Sequence, residues 1–504
     1  MSSPSVTDSP NIHQIPPEIL GKIFGFAVAA CRESCHFNRA SYGTWYSFAL
    51  VSQYWRSVAL STPHIWGTLL FFNQKLISVM LERSRMADIS VDSELCFPRL
   101  SAVVPLVKQV INEYTSRITE LSLKVGDSVF LVLMEELEKR PPSLRLRELR
   151  LQCIFGTESW FDLNTVLIPD RLEVLEARGF NIAWEPSQLY PCLTDLTICS
   201  TRSVPWAGFV DALRGMPALQ FLCLRNCRPS EQSFTSITPV HLGKLRKLEV
   251  SASIAGFSSI SIFLALISIP ATTDIGIVCV TLVERGSIGL YKISAFASSV
   301  NSLIRNAHLE NGGCCYKSLS IHRLNDVLNI SASRSDFAAD DFALNFSLTI
   351  ELTGYTPEET LRKVLFPAIL GNSVVSLRLK IGVRSRTLLE LSDSLPCLRN
   401  VILVRDSMPN FVAVMMLANH TSYPFQNIRY LVLYGAVFTP RINGGLEVSE
   451  LRECIERRSK SDAKLETLKI SQCYGILKHN IQRLRETVNV DWDGYQSKWV
   501  PPRN

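Results

Sequence analysis

The chain has 504 residues, of which 47% are hydrophobic and 19% charged, so it can bury a large core and is not a disordered chain. Its 52 basic and 46 acidic residues leave a net charge of +6, which is too small over this length to indicate nucleic acid as a partner. No run of five or more lysines and arginines occurs, so neither a nuclear-localisation cluster nor a polybasic membrane tail is indicated.

The start of the sequence is polar and lacks the apolar core of a signal peptide. With fourteen cysteines spread along the chain, this predicts a reducing, intracellular location in the cytoplasm, the nucleus or both. The most apolar stretch, residues 254–269, is too short for a span of roughly 20 residues, and it carries four serines. We expect a buried helix or a repeat segment there and no membrane partner.

A short helix is predicted after a disordered N-terminus of residues 1–11. Pro16 and Pro17 suit the first turn of a helix, where their missing N–H groups would be unpaired anyway. Glu18 suits the positive helix start. The apolar residues then recur at helical spacing and form one stripe that must be covered: Ile15, Ile19, Ile23 and Phe24.

A second apolar stripe follows at helical spacing and is expected to stop at Pro63: Phe48, Val51, Trp55 and Val58. A third apolar piece, Ile65–Leu70, comes directly after it. Three such pieces form a unit near the lower size limit for independent folding, so part of their surface is expected to belong to a partner.

The segments IPPEILGKIF, LVSQYWRSVA and STPHIWGTL occur in an order that resembles the F-box, particularly the F-box-like variety abundant in fungal proteins. The match covers about 60 residues, assigned here to a domain of residues 12–72. Ser52 stands where many family members have cysteine, and CRESCHFNRASYGTWY is inserted between the first two helical pieces. The end of the chain, VNVDWDGYQSKWVPPRN, weakly resembles the C-termini of fungal F-box proteins.

The F-box resemblance implies a surface that docks on a Skp-type adaptor, formed by Pro16, Ile19, Leu20, Ile23, Leu50, Val51 and Trp55. The alternative is that these residues only pack the small domain against the rest of the chain. The two interpretations differ in exposure, because a cap would bury Ile19, Ile23 and Trp55, whereas a docking module must leave part of them open.

Beyond residue 115 a six-residue pattern recurs: an apolar residue, two other residues, Leu, one other residue, and then Leu or Ile. This is the LxxLxL core of a leucine-rich repeat. Clear copies are Ile118–Leu123, Leu146–Leu151, Leu193–Ile198, Leu219–Leu224, Leu245–Val250, Val374–Leu379, Leu398–Leu403, Ile428–Leu433 and Leu465–Ile470, and weaker ones centre on Leu175, Ile275, Leu319 and Leu348. Central positions 121, 149, 175, 196, 222 and 248 are 21 to 28 residues apart, whereas positions 275 and 319 are 44 apart, which indicates an insertion or a misassigned repeat.

Each copy is expected to be a strand that buries its fourth and sixth residues and turns its third, fifth and seventh residues outward. One copy cannot bury its leucines alone, so stacked copies are predicted to share a core. The fold class is therefore α/β, with a small helical module followed by an irregular solenoid that has a curved parallel sheet with helices or turns behind it. The further predicted parts are capping helices or a linker at 73–115, repeats at 116–490 and a tail at 491–504.

The outward positions are where a solenoid presents a binding surface. Several are basic and later ones aromatic, which suggests an acidic or phosphorylated substrate segment; the candidates are Lys124, Arg150, Arg178, Arg225, Arg378, Lys380, Tyr430 and Tyr434. Glutamates on the same strands favour the alternative, a solvated face that neutralises its own charge.

No phosphate-binding loop, nucleophile elbow or metalloprotease motif occurs, so no catalytic residue, cofactor or metal is predicted. Cys31, Cys35 and His36 lack a fourth zinc ligand, Cys223 and Cys227 fit repeat geometry, and Cys314 with Cys315 has no activating neighbour. The F-box and repeats together resemble a substrate receptor of a Skp-cullin-F-box ubiquitin ligase, which implies an adaptor, a cullin scaffold and a protein substrate as partners. The alternative is a non-enzymatic repeat scaffold or inhibitor whose F-box-like segment is only an N-terminal cap.

Overall fold

The structure is a computed structural model of the chain, and it divides into two compact units, Met1–Leu219 (unit 1) and Gln220–Asn504 (unit 2). The structure describes residues 15–35, 47–71, 74–92, 100–126, 135, 145–153, 161–163, 169–182, 184, 190–200, 206–227, 238–253, 257–280, 298–300, 302–303, 316–324, 327–334, 346–351, 374–417, 423–438 and 446–496. The predicted boundaries at residues 72, 115 and 490 are not tested by this division and stay predictions.

The chain mixes helices with mostly parallel strands, so the predicted α/β class is confirmed. In unit 1 the helices are α1 (Pro17–Cys35), α2 (Gln53–Ser61), α3 (Gln74–Ser84), α4 (Leu100–Tyr114) and α5 (Trp206–Arg214). In unit 2 they are α6 (Phe257–Leu266), α7 (Ser385–Ser394), α8 (Met408–Met415), α9 (Val448–Ser459) and α10 (Lys478–Arg485).

The strands of unit 1 are β1 (Thr68–Leu70), β2 (Ile89–Asp92), β3 (Ile118–Val125), β4 (Glu148–Cys153), β5 (Phe161–Leu163), β6 (Val174–Arg178), β7 (Phe180–Ile182) and β8 (Asp195–Cys199). Strands β1, β2, β3, β4, β6 and β8 pair in that order, each parallel to the next. Strands β5 and β7 form a separate parallel pair. Parallel neighbours separated by loops and helices are what a repeated strand and crossover produce.

The strands of unit 2 are β9 (Phe221–Arg225), β10 (Val240–His241), β11 (Lys247–Ser253), β12 (Ile267–Ser268), β13 (Asp274–Val280), β14 (Ser318–Leu324), β15 (Val327–Ser333), β16 (Phe346–Glu351), β17 (Ser376–Lys380), β18 (Asn400–Val404), β19 (Tyr430–Tyr434), β20 (Thr467–Ser471) and β21 (Asn489–Trp492). Strands β9, β11, β13 and β16 form one parallel run. Strands β14, β17, β18, β19, β20 and β21 form another. Strands β10 and β12 pair separately.

Every predicted repeat copy overlaps one of these strands, and the copies align in register. In unit 1, Leu121 lies opposite Leu149, which lies opposite Leu175. The fourth and sixth residues of the nine clear copies are at most 2% exposed, while most outward positions are half-buried or exposed. The predicted alternation is therefore confirmed, because stacking in register places each leucine against the leucine of the next strand.

The irregular spacing after Ile275 has a structural cause. Strand β13 pairs with β16 rather than with the next strand in the chain, and β15 runs antiparallel between β16 and β14. The meander β14–β15–β16 is thus inserted in reverse order between two parallel runs. Ile275 lies opposite Phe346, so the centre of this copy is Phe346 and the prediction that it centres on Leu348 is wrong by two residues.

Apart from β15 and the two separate pairs, three paired strands lie where the repeat pattern gave no signal. β1 follows the predicted F-box-like segment directly, β2 lies within residues 73–115, and β21 crosses the predicted boundary at residue 490. Each is short, and their sequences lack two leucines at the fourth and sixth positions. They pair because their neighbours present free backbone groups, which the LxxLxL pattern does not record.

The apolar segment 254–269 contains α6, which buries Ile260, Phe263 and Leu264, and then β12. A buried helix was therefore the correct alternative. Among the described residues, no helix has both the length and the hydropathy needed to span a membrane.

Candidate functional site

Helix α1 begins at Pro17, which confirms the helix start predicted from Pro16 and Pro17. The backbone N–H groups of Ile19 and Leu20 both donate to the carbonyl of Pro16 at 3.0 Å, so Pro16 accepts the first bonds of the helix. Glu18 lies in the first turn, where its charge complements the helix dipole. The two prolines and Glu18 therefore set the residue at which α1 begins.

One face of α1 is the core of the small helical cluster. Leu20 and Phe24 are no more than 1% exposed. The ring of Phe24 stacks on that of Phe48 at a centroid distance of 4.2 Å and meets the ring of Trp55 at 5.3 Å. These aromatic contacts fix the turn at Ser47–Leu50 and helix α2 against α1.

The second predicted stripe is divided between two elements, because Ser52 starts a new helix. Ser52 has extended backbone angles, and its hydroxyl accepts a hydrogen bond from the N–H of Trp55 at 3.1 Å, which is N-cap geometry. The hydroxyl of Tyr54 donates to the carbonyl of Ile15, which links the start of α2 to the start of α1. Ser52 thus has a structural role as the N-cap of α2.

Five large apolar residues of the cluster are exposed. Ile19 is 46% exposed, Ile23 44% and Phe26 76% on α1, while Leu50 is 71% and Val51 58% exposed just before α2. We call these five residues the N-terminal apolar surface. Ile19, Ile23 and Phe26 lie on one side of α1 because they are four and three residues apart. Large exposed apolar groups that lie together are typical of interaction sites.

The predicted docking residues separate into two groups. Pro16, Ile19, Ile23, Leu50 and Val51 are exposed, and Trp55 is half-buried. Leu20 is 0% exposed, so its assignment to a docking surface is wrong and it belongs to the core.

Phe26 is the exposed residue that the sequence argument missed. It lies three residues after Ile23 and seven after Ile19, so it extends the helical stripe by one turn. The motif comparison stopped at Phe24, whereas continued helical spacing would have found Phe26.

The outward residues of unit 1 form a charged ladder. Arg150 contacts Glu148 at 2.7 Å and Glu176 at 3.9 Å, and Arg178 contacts Glu176 at 2.5 Å. The third predicted basic residue, Lys124, is half-buried on β3, two strands from Arg178. The arginines predicted to bind substrate are therefore paired with glutamates of the same sheet, as the self-neutralising alternative expects.

Arg225 in unit 2 is paired in the same way. Its guanidinium lies 2.6 Å from Glu249, which also contacts Lys247 at 2.7 Å. Burial alone would raise the pKa of Glu249, but the hydrogen bonds from Lys247 and Arg225 outweigh it and lower that pKa. A cleft of about 560 Å³ opens beside this triad, next to Gly276 and other outward residues.

The other four candidates lie close together on β17 and β19, with β18 between them. Arg378 and Tyr430 are half-buried, whereas Lys380 and Tyr434 are exposed. The hydroxyl of Tyr434 donates to Oε1 of Gln472 at 2.7 Å, which holds the ring at the carboxyl end of the sheet.

In the part of the chain that the structure describes, no three His, Cys, Asp or Glu residues are placed to hold a metal ion. Cys223 and Cys227 are buried thiols that form no disulfide. Cys31 is half-buried and forms no disulfide, while the side chains of Cys35, His36, Cys314 and Cys315 lie outside the described residues.

Comparison with known proteins assigns no family: no protein-family model matches this chain, and no curated protein is significantly similar to it.

Proposed function

We propose that this protein is the substrate-recognition subunit of a Skp-cullin-F-box type ubiquitin ligase. The N-terminal apolar surface would bind a Skp-type adaptor and, through it, a cullin scaffold. Strands of the repeats would bind a protein substrate. The observation that carries the proposal is the exposure of Ile19, Ile23 and Phe26 on a helix whose other face is fully packed.

The energetics support a partner on this surface. Each fully buried large apolar side chain is worth about 1.5–3 kcal/mol relative to an exposed one, so five such residues left open forgo substantial stabilisation. A module that served only as a cap would gain by turning Ile19 and Ile23 inward. In the chain as folded, the inward positions are instead filled by Leu20, Phe24 and Phe48.

The finer fold belongs to the same proposal: an F-box-like module followed by an irregular leucine-rich-repeat solenoid. Its support is the register of the parallel strands in each unit and the burial of the fourth and sixth residues of each copy. The meander β14–β15–β16 would be an insertion in the array.

A receptor of this kind needs no catalytic residue of its own, and we propose that the protein is not an enzyme. By holding a substrate lysine near a ubiquitin-conjugating enzyme, it would convert a bimolecular encounter into an effectively intramolecular one. The rate gain would come from positioning alone.

One observation favours the second candidate function, a scaffold whose helical segment is a cap. Strand β1 follows a short 3-10 helix, Pro63–Trp66, after a single residue, Gly67, whose carbonyl accepts a hydrogen bond from the N–H of Ser90 on β2 at 3.0 Å. The guanidinium of Arg83 on α3 also lies 4.5 Å above the ring of Trp66. These contacts join the helical segment to the start of the strand ladder in unit 1, as a cap would be joined, and a cap could still dock a partner through its exposed residues.

Co-purification of the full chain with a Skp-type adaptor tests the proposal. The test variant is Ile19→Asp with Ile23→Asp, which places charges on the N-terminal apolar surface without touching its core. The control is Met86→Asp, because Met86 is an equally large apolar residue, 81% exposed elsewhere in unit 1. We expect the control to bind like the wild type and the double variant to bind at least about 30-fold more weakly, since hot-spot residues cost 2 kcal/mol or more.

A folded wild-type chain that fails to bind the adaptor would overturn the receptor function and leave the scaffold function. Equal binding by wild type and the double variant would overturn the assigned surface. Urea unfolding of each variant distinguishes lost binding from lost folding.

A further inference from the structure

A second apolar area lies on the outward face of unit 2. Ile402 lies opposite Val432 in the pairing of β18 with β19, and Val404 lies opposite Tyr434. These residues occupy the outward fifth and seventh positions of their copies, and Tyr430 occupies the third. We call the area the β18–β19 platform; its members are Ile402, Val404, Tyr430, Val432 and Tyr434.

The platform differs from the outward faces of β4, β6 and β11. At the fifth position, β4 carries Arg150, β6 carries Glu176 and β11 carries Glu249, all of them in ion pairs. At the same position β18 and β19 carry Ile402 and Val432. A charged outward face is stable in water without a partner, whereas an apolar one gains from being covered.

Two exposed cations flank the platform at the carboxyl ends of the strands. Lys380 follows Leu379, which lies opposite Leu403, so Lys380 stands beside Val404. Arg405 follows Val404 with a φ of +50°, and its Cγ would lie 3.6 Å from a Cβ added at Gly435, the residue after Tyr434. Within the described part of the chain, neither cation forms an ion pair.

Two of the nearby carboxylates already have partners, and the third is outnumbered by the two cations. Asp491 lies 3.5 Å from Lys469. Asp493 accepts hydrogen bonds from the backbone N–H groups of Gln472 and Tyr495. Asp406 is exposed next to Arg405 and is the one carboxylate in this group without such a bond among the described residues. Lys380, Arg405 and Asp406 together therefore carry a net charge of +1.

We propose that the β18–β19 platform binds a substrate segment that combines two or more apolar side chains with an adjacent aspartate or glutamate; this inference rests on the proposed function. The apolar side chains pack on Ile402, Val432 and the ring of Tyr434. The carboxylate meets Lys380 and Arg405, where a charge-assisted hydrogen bond to the guanidinium fixes the direction of the segment. Charge complementarity and the aromatic ring make this the chemistry that the area fits best.

The experiment is a selection of phage-displayed random 12-residue peptides on the full chain, followed by fluorescence anisotropy with the selected peptides. We expect the selected peptides to contain two apolar residues next to an Asp or Glu. The first variant, Val432→Asp, should weaken their binding at least about tenfold, because it places a charge under the apolar contact. Its matched control is Thr197→Asp, at the fifth outward position of β8 in unit 1.

The second variant, Lys380→Glu with Arg405→Glu, exchanges exposed charges and leaves the apolar area intact. It should bind the acidic peptides at least about tenfold more weakly and should prefer versions in which the acid is replaced by lysine. This reversal of preference tests the proposal even if the Val432→Asp variant does not fold.

The proposal is overturned by selection of basic or uncharged peptides, by an absence of enrichment, or by selected peptides that bind both variants like the wild type. Peptide binding needs no adaptor, so the two proposals fail separately. Loss of adaptor binding with intact peptide selection contradicts only the ligase function, and the converse contradicts only the platform.

Discussion

Arg457 and Arg458 are consecutive on helix α9, yet the Arg458 side chain is completely buried while that of Arg457 is exposed. Arg457 forms an ion pair with Glu453 one turn earlier. Arg458 instead donates hydrogen bonds to the carbonyls of Ala463, Pro424 and Phe425. A longer bond of 3.5 Å reaches the carbonyl of Met415, so this one side chain of α9 joins three other backbone segments of unit 2, with no carboxylate among its hydrogen-bond acceptors.

Replacing Arg458 with Met should lower the free energy of unfolding by about 3 kcal/mol, because buried carbonyl groups lose their donors. Replacing Arg457 with Met is the control and should cost no more than about 0.5 kcal/mol, the usual value of an exposed pair one turn apart. Urea unfolding of the two variants measures the difference. Equal losses would show that the buried hydrogen bonds of Arg458 contribute nothing beyond a surface charge.

Phe24 and Phe26 provide a second matched pair, 1% and 76% exposed on the same helix. Phe24→Ala should destabilise the chain by about 3 kcal/mol, because it removes a ring packed between Phe48 and Trp55. Phe26→Ala should change stability by less than about 0.5 kcal/mol, since its ring packs on little in the free chain. If the N-terminal apolar surface binds the adaptor, Phe26→Ala should weaken that complex while leaving the unfolding curve unchanged.

The repeat strands were predictable because their signal is local and physical. Two apolar residues at spacing two need a neighbour to cover them, and the same pattern in the next copy supplies it, as Leu149 does for Leu121. The start of α1 was predictable for a similar reason, since Pro16 and Pro17 restrict the backbone directly.

The remaining features depend on contacts distant in sequence. The meander strand β15 is defined by its antiparallel neighbours, not by a repeat pattern. A buried arginine such as Arg458 looks like a surface charge in the sequence, because its acceptors lie in other segments of the chain. At the candidate site, helical spacing gave Ile19 and Ile23, but it could not show that Leu20 faces the core.

Two buried thiols should make unit 2 sensitive to alkali. Burial raises the pKa of Cys454 to about 11 and that of Cys473 to about 11, against about 8.5 for a free thiol. Both pKa values are raised in the folded state, so the protonated thiols favour the folded protein. This contribution to stability is complete below about pH 8.5 and is lost as the pH rises towards about 11.

Urea unfolding at pH 8 and at pH 10.5 should therefore show a larger loss of stability for the wild type than for a variant with Cys454→Val and Cys473→Val. The difference should be about 2 kcal/mol per thiol. The control replaces the exposed Cys192 and Cys397 with Val and should lose stability like the wild type. Parallel losses in all three proteins would contradict the burial of the two thiols.

Gly475 and Gly494 share a left-handed backbone, with φ of +77° and +79°, but differ in their surroundings. A Cβ added at Gly475 would lie 2.3 Å from the carbonyl oxygen of Phe438, whereas one added at Gly494 would meet nothing within 4 Å. Gly494→Ala should cost about 1 kcal/mol, which is the strain of this conformation for an alanine. Gly475→Ala carries the same strain and a clash with backbone, so it should cost about 3 kcal/mol or more. Since the strain is common to both variants, the difference between their unfolding free energies isolates the clash. Equal costs would mean that the turn after β20 does not approach Phe438 this closely.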